Sequence, residues 1–357
     1  MGETWGTAFM MGQFRLGAVV LALAAGSGAA PTHTLAQQQQ PFFADKTIQL
    51  IVSTGTGGGL DANARLVARH WPEHIAGRPT IVVKNMPGAG HLRAANFIAN
   101  QAPRDGTVLG AIVPAFLLAQ VLESSKGIQF DAAKLSWIGA STAINSTVYV
   151  WSKTSVQTMA DATRQQVLMG GTGAGSYTQI YPMILNAITG TKFKVIAGYA
   201  TTNDVNLAME RGEVQGRAGN NFNSLRMENA DWLRDGKIRF LAQVGLKRDE
   251  AYPDLPLMHE FGKTDDDKRL LRLFSADIAV GRPFIGPPGM ASDRLEELQR
   301  TFDQTMTDPA FLKDAQDMHV DVAPVKGDEL QAIVSDIVAT PADVVARARQ
   351  ALMDLEK

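Results

Sequence analysis

An α/β fold is what this sequence predicts, on two observations: short β-rich runs alternate with stretches whose apolar residues recur at helical spacing, and glycine-rich turns stand where the runs end. The first run is Ile48 to Val52, followed by a glycine-rich turn and a helix with Leu60, Ala64, Val67, Ala68 and Trp71 on one face. Ile81 to Val83 is the second strand and Pro87-Gly88-Ala89-Gly90 the second turn; Leu92, Ala95, Ile98 and Ala99 mark the next helix. After the turn Pro103-Arg104-Asp105-Gly106 comes a third strand, Val108 to Val113. Strand, loop and helix in that repeated order imply parallel strands joined by right-handed crossovers.

A second series follows Thr147 to Trp151: a strand Val167 to Met169, another glycine-rich turn, a helix around Met183 to Ile188, a strand Phe193 to Ile196, and a helix from Asp204 to Arg211 that Gly212 stops. Pro182 fits the first position of its helix, which would leave residues 170–181 as a long arm. Val214 to Ala218 and Ile238 to Val244 add strands, and the charged stretch from Lys263 to Arg269 leads back toward Ile278 to Val280. Ser292 suits a helix N-cap before the periodic residues from Leu295 onward. Two lobes are expected, lobe I from 45–148 with 276–357 and lobe II from 149–275, the C-terminal part packing back onto lobe I.

Ahead of this region, Arg15 precedes an apolar run of ten residues, Leu16 to Ala25, then small residues and Thr34-Leu35-Ala36. That layout predicts a signal peptide over 1–36 and a flexible leader over 37–44, with a buried core helix as the competing reading. The run falls short of the roughly 20 apolar residues needed to span hydrocarbon. Export to the periplasm is the expected location. The 357 residues contain no cysteine, so neither a disulfide nor a thiolate metal site is available. A formal net charge of -2, with no basic run, argues against a nucleic-acid partner.

The chemistry gathers at the glycine-rich loops. Ser53-Thr54-Gly55-Thr56-Gly57-Gly58-Gly59-Leu60-Asp61 stands between a strand and a helix, where open α/β sheets hold ligands. Glycines let backbone amides approach a ligand, a helix N-terminus favours an anion, and Thr54 and Thr56 add hydroxyl donors. A dinucleotide fingerprint is excluded, because Leu60 takes the third glycine position and the second strand ends in Lys84-Asn85 instead of an acid. No Gly-Lys-Ser or Gly-Lys-Thr follows either glycine run, so a P-loop is excluded too. Gly170-Gly171-Thr172-Gly173-Ala174-Gly175-Ser176 repeats the design in the other lobe, with Ser176 and Thr178 as hydroxyl donors. Two such mouths suggest a clamp on one anion; a pair of plain tight turns is the competing reading. Tyr199, Thr201, Thr202 and Asn203 would face the same cleft, or form a solvated capping turn.

Catalysis and metal binding find less support. Ser176 is followed by Tyr177 and Thr178, which is not a nucleophile elbow. His70 and His74 lie four apart with Pro72 between them and no third ligand in view, so a surface or capping role is expected. His91 and Arg93, just after the second turn, could approach a carboxylate, with an exposed helical first turn as the favoured reading. No cofactor is expected.

Gly57-Gly58-Gly59-Leu60-Asp61 with Ala64-Arg65, Asn85-Met86-Pro87-Gly88-Ala89-Gly90, Arg104-Asp105-Gly106-Thr107, Pro253-Asp254-Leu255-Pro256 and Pro287-Pro288-Gly289, in this order, carry a resemblance. From about Lys46 to near the C-terminus the chain resembles the extracytoplasmic receptors of tripartite tricarboxylate transporters, the Bug family. The resemblance implies a type II periplasmic binding protein fold: two α/β lobes, two crossovers and a cleft that closes on ligand. It implies no enzyme activity, a small carboxylate as ligand, and integral membrane subunits of a tripartite transporter as partners of a receptor expected to be monomeric. It nominates Thr54, Thr56, Gly57, Gly58, Ala89, Pro114 and Ala115 from lobe I, and Gly173, Gly175, Ser176, Thr178, Tyr199 and Asn220 from lobe II. The second lobe departs from the family's pattern at Tyr177, near which a His is usual, and at Ala197-Gly198-Tyr199-Ala200, where a Pro-Tyr-basic-Gly segment is usual. A sensing module for a signalling receptor, or an enzyme using the same cleft, are the other functions open at this point.

Overall fold

The computed structural model describes residues 40–57, 59–122, 127–172 and 176–355, so the expected signal peptide, most of the leader, and Gly58, Gly173 and Gly175 lie outside the described residues. In the first series β1 (Thr47–Val52), α1 (Gly59–His70), β2 (Thr80–Asn85), α2 (Leu92–Asn100), β3 (Val108–Ala111) and α3 (Ala115–Leu122) alternate. β1 pairs in parallel with β2 on one side and β3 on the other, with Val52 level with Asn85 and with Ala111. Three carboxyl ends therefore lie side by side.

β4 (Ser136–Ala140) follows, and the chain then crosses to a second sheet. There it forms β5 (Ser146–Trp151), α4 (Met159–Arg164), β6 (Val167–Gly171), α5 (Tyr177–Thr189), β7 (Phe193–Ala197), α6 (Thr202–Glu210), β8 (Gly216–Asn221), α7 (Phe222–Glu228), α8 (Ala230–Arg234) and β9 (Ile238–Val244). It returns through α9 (Asp265–Leu273) and α10 (Ala276–Val280) to β10 (Pro283–Gly286), then α11 (Ser292–Met306), α12 (Pro309–Asp317), β11 (Val325–Lys326), α13 (Gly327–Val338) and α14 (Ala342–Leu355). The strand order is β11-β4-β10-β3-β1-β2 in one sheet and β7-β6-β8-β5-β9 in the other. The fold is thus α/β with two sheets and two crossings between them. β6 runs parallel to both β7 and β8, which aligns a second set of carboxyl ends.

Each sheet is covered on both faces, as parallel strands require. Ile48, Leu50 and Val52 pack with Trp71, Phe284, Phe302 and Phe311 on one side of the first sheet. Ile51 points to the other, joining Ile98, Phe116, Trp137 and Leu330. The period of two is the strand's own geometry. In the second sheet Val148 and Val150 face α5 and α14, while Tyr149 faces α6 and α8. α14 sits with the second sheet's helices: Val344, Ala348 and Ala351 are buried in that core, and the helix also touches α3.

Three local expectations are corrected. Pro182 lies inside α5, which starts five residues earlier at Tyr177, because burial of Thr178, Tyr181, Ile184 and Leu185 outweighs the one backbone bond proline forfeits. Ile278 to Val280 is helical and the strand begins at Pro283. Ala291, not Ser292, caps α11, its carbonyl accepting from Arg294 and Leu295.

Candidate functional site

The first loop is pinned to its neighbours by main-chain and short side-chain bonds. Ser53 donates its amide to Ala111 O (3.1 Å) and its hydroxyl accepts from the Val113 amide (3.0 Å), fixing the loop after β1 to the one after β3. Asn85 donates to Thr54 O (2.9 Å) and His91 Nδ1 lies 3.1 Å from Ser53 O, fixing it to the loop after β2. Thr54, Thr56, Gly57, Ala89, Pro114 and Ala115 therefore stand along one edge, at the ends of three adjacent strands.

Not every group there faces outward. The Gly57 amide donates to Asp61 Oδ2 (2.9 Å), which Arg65 also holds at 3.0 Å, while Asn85 donates to the other carboxylate oxygen at 2.8 Å. With the Arg65 hydrogen bond as the largest cause, the Asp61 pKa is lowered to about 2, against the opposing effect of burial. Asp61 thus satisfies its own loop, a role its spacing four before Arg65 signals in the sequence. Thr54 differs: its hydroxyl oxygen is buried and has no hydrogen-bond partner among the described residues. In the second turn Gly88, Ala89, Gly90 and His91 all have positive φ, at 131°, 49°, 57° and 74°. Two non-glycine residues in that region store strain in a turn beside the loop. Sequence reading missed Arg282: a Cβ on Gly59 would stand 3.4 Å from its guanidinium, which brings positive charge to the head of α1. Burial lowers the Arg282 pKa, and the Asp321 carboxylate opposes that shift.

At the second sheet, Ser176, Thr178, Tyr199 and Asn220 stand beyond or at the ends of β6, β7 and β8. Thr178 is buried, and its hydroxyl accepts from the Thr172 amide (3.0 Å) and lies 2.7 Å from Ser176 Oγ, so it braces the loop from within. Tyr199 donates its amide to Gly171 O at 3.3 Å; burial, then the Glu213 carboxylate, raises its phenol's pKa. The Asn220 carbonyl accepts from Thr147 Oγ1 (2.7 Å); burial raises the pKa of the Tyr149 phenol, and the side chains of Arg217 and Asn220, which lie against its hydroxyl, oppose that larger effect. Between the two sheets, Tyr177 at the head of α5 donates its hydroxyl to Asp277 on α10, and α10 packs on α3, whose first residue is Ala115.

The histidine pair takes no part. His70 Nε2 lies 3.0 Å from Asp314 and His74 Nε2 3.0 Å from Asp308, tying α1 and the turn after it to α12. Among the described residues no group of three or more acidic, His or Cys side chains is placed to hold a metal.

This arrangement of strand-end loops on two sheets has known counterparts. The profile of the tripartite tricarboxylate transporter family receptor matches residues 64–349. The chain belongs to this receptor family. The receptor is similar to a UPF0065 protein of Bordetella bronchiseptica, 24% identical over 282 residues that cover 76% of this chain and 77% of that one. A UPF0065 protein of Cupriavidus necator is 24% identical over 306 residues, covering 83% and 84%. Among solved structures, a TctC solute binding protein from Polaromonas has a TM-score of 0.65 at 17% identity, over 87% of this chain and 98% of that one. Rpa4515 of R. palustris with adipate has a TM-score of 0.53 at 19% identity, over 85% and 97%. The receptor shares with them the two-lobed binding-protein fold. Among its described residues no helix is long and apolar enough to cross a membrane.

Proposed function

We propose that this chain is an exported periplasmic receptor that catches a small carboxylate between two lobes, one built on each sheet, and delivers it as a monomer to the membrane subunits of a tripartite transporter. The match to the receptor family over residues 64–349 carries this reading. The geometry adds strand-end amides, the buried Thr54 hydroxyl, which has no partner among the described residues, and the strained turn over 88–91, all at one edge. Adipate in Rpa4515, a protein of the same fold, supports a carboxylate as guest. No chemical step is proposed: the receptor works by closing, the ligand stabilising the state in which both sets of loops contact it. Thr54, Thr56, Gly57, Gly58, Ala89, Pro114 and Ala115 take one end of the ligand, and Gly173, Gly175, Ser176, Thr178, Tyr199 and Asn220 take the other.

The test is a thermal-shift screen of mono-, di- and tricarboxylates with Thr54→Val alongside. Ligand at 100 times its Kd stabilises by about 2.7 kcal/mol, enough to read as a raised melting temperature. Thr54→Val keeps the side-chain shape and removes an unpaired hydroxyl, so the ligand-free melting temperature stays level while the ligand-induced shift shrinks. A screen in which no carboxylate moves the melting temperature rejects the reading.

A further inference from the structure

Both sheets are arranged in the same way about the first crossing. In the first sheet β4 leads into it, with β10, β3, β1 and β2 on one side of β4 and β11 on the other. In the second sheet β5 receives it, with β8, β6 and β7 on one side and β9 on the other. The proposed ligand loops follow β1, β2, β3, β6, β7 and β8, so they all fall on one side of the crossing. A rotation about the crossing that brings those loops together therefore parts the chain around β11 from the chain around β9.

The pivot is short. Ala143 donates its amide to Ala323 O (2.9 Å), on the approach to β11, and Ala323 donates to Ser141 O (3.1 Å), which fastens the start of the crossing to the first sheet. The Asn145 side chain donates to Gln243 Oε1 (2.7 Å) and to Lys247 O (2.6 Å), which fastens its end to β9 and the loop beyond. Only Ile144 stands between them. The second crossing lies against the first, where Arg282 donates its amide to Thr142 O (2.8 Å). Hinge rotation is absorbed by a few residues of this kind.

Behind the pivot lies a groove of about 550 Å³, lined among others by Ile144, Asn145, Asn223, Lys247, Pro324 and Glu329. Two polar contacts join its walls. Lys247, in the loop after β9, pairs with Glu329 near the start of α13. Asn223 in α7, a helix held beside the crossing by the Phe222 amide on Asn145 O (3.4 Å), donates to Asp321 Oδ1 (2.9 Å). The Asp321 carbonyl in turn accepts from Thr142 Oγ1. Each contact ties an element of the second sheet to one of the first, and none of these residues belongs to the ligand loops. The half-buried bond from Asn223 to a charged acceptor is the stronger of the two; the exposed Lys247–Glu329 pair is weaker.

We propose that these two contacts are a rear clasp belonging to the open receptor, so that Asn223 and Lys247, which the ligand never touches, hold its affinity down. Closing the ligand cleft parts the clasp, and the free energy of the clasp is lost from that of binding. Apparent affinity follows the population of the state that can close. The inference rests on the closing step of the proposed function and not on the identity of the ligand.

The experiment measures spin-label distances between Thr80→Cys in β2 and Lys194→Cys in β7, the strands at the far edges from β11 and β9, and in parallel the calorimetric Kd for glutarate. Without ligand, Asn223→Ala is expected to move the distribution to shorter distances, and it binds glutarate about 3- to 10-fold more tightly than wild type. Lys247→Glu, which opposes two like charges, acts in the same direction by about two- to five-fold, and pairing it with Glu329→Lys returns both readouts to wild type. Distances unmoved in both single variants overturn the proposal, as does glutarate affinity that is unchanged or weakened in them. Distances that shorten in the variants of a receptor that binds no carboxylate support the clasp, and the carboxylate reading then fails alone.

Discussion

Asp61 illustrates how one residue decides what a glycine-rich loop has left to offer. Its carboxylate accepts from the Gly57 amide, Arg65 and Asn85, so part of the loop's donor capacity is spent inside the chain. The sign of its effect on stability follows from its lowered pKa of about 2. The stability is present above the unfolded value and is lost as pH falls from about 4 toward 2. Asp61→Asn is therefore expected to cost on the order of 1–2 kcal/mol at pH 7, discounted because Arg65 is half exposed, and the gap from wild type should close toward pH 2. Urea denaturation across that range reads it, and a gap independent of pH would assign Asp61 a packing role instead. Gly219 makes a second residue-scale case. Its φ is 77° and an added Cβ would stand 2.9 Å from Tyr177 Cβ and 3.0 Å from the Thr178 amide. Gly219→Ala should lower stability by about 1–3 kcal/mol, and urea midpoints equal to wild type would refute the close approach. At this scale the sequence was half legible. The Asp61–Arg65 spacing signals an ion pair, but nothing in Gly216-Arg217-Ala218-Gly219 signals that Arg217 turns inward, because the register shift at Gly219 sets which side chains share a face.

Among elements, α5 shows where local rules yield to packing. Pro182 suggests a helix start, yet the helix begins at Tyr177, whose ring stacks on Tyr181 at 5.2 Å and whose hydroxyl reaches Asp277. That bond ties the second-sheet helix to the return crossing. Asp277 is buried, and burial raises its carboxyl pKa while the Tyr177 bond opposes the rise. A carboxyl whose pKa rises on folding contributes stability at low pH that is lost as pH increases through the folded value. Removing its donor with Tyr177→Phe strengthens that loss, so the variant should be close to wild type near pH 4 and weaker by about 1–3 kcal/mol at pH 7. Thermal melts at the two pH values check this; an equal deficit at both would trace the effect to ring packing. The strands and helices around β1, β2 and β3 were legible because their period, turns and glycines agree. β4 was not, since Ser136 to Ala140 is buried throughout and shows no alternation to read.

For the whole molecule, the proposed closure would turn on the two crossings between sheets. Chain passes between the sheets after β4 and again between β9 and β10, while α14 packs beside α5 and α9 and also touches α3. A few residues at such crossings absorb the φ/ψ change of a hinge, and the packed sheets move as units. Passage out of the first lobe and back was expected from the order of the strand and helix runs, and the family resemblance implied the same two crossings, but periodicity along a chain carries no information about which strands share a sheet. The absence of cysteine gives a direct test, since labels attach only where cysteine is introduced. Thr80 in β2 and Lys194 in β7 are exposed and lie on edge strands of different sheets. Spin labels at Thr80→Cys and Lys194→Cys should show a broad distance distribution that narrows and shifts when glutarate is added in excess. The population follows the ligand's preference for one state, so the shift should saturate with the same Kd that calorimetry gives. A distribution unchanged at saturating glutarate, in a protein that binds it calorimetrically, would mean that the ligand enters a preformed site, and the closing step would have to be abandoned while the carboxylate site stands.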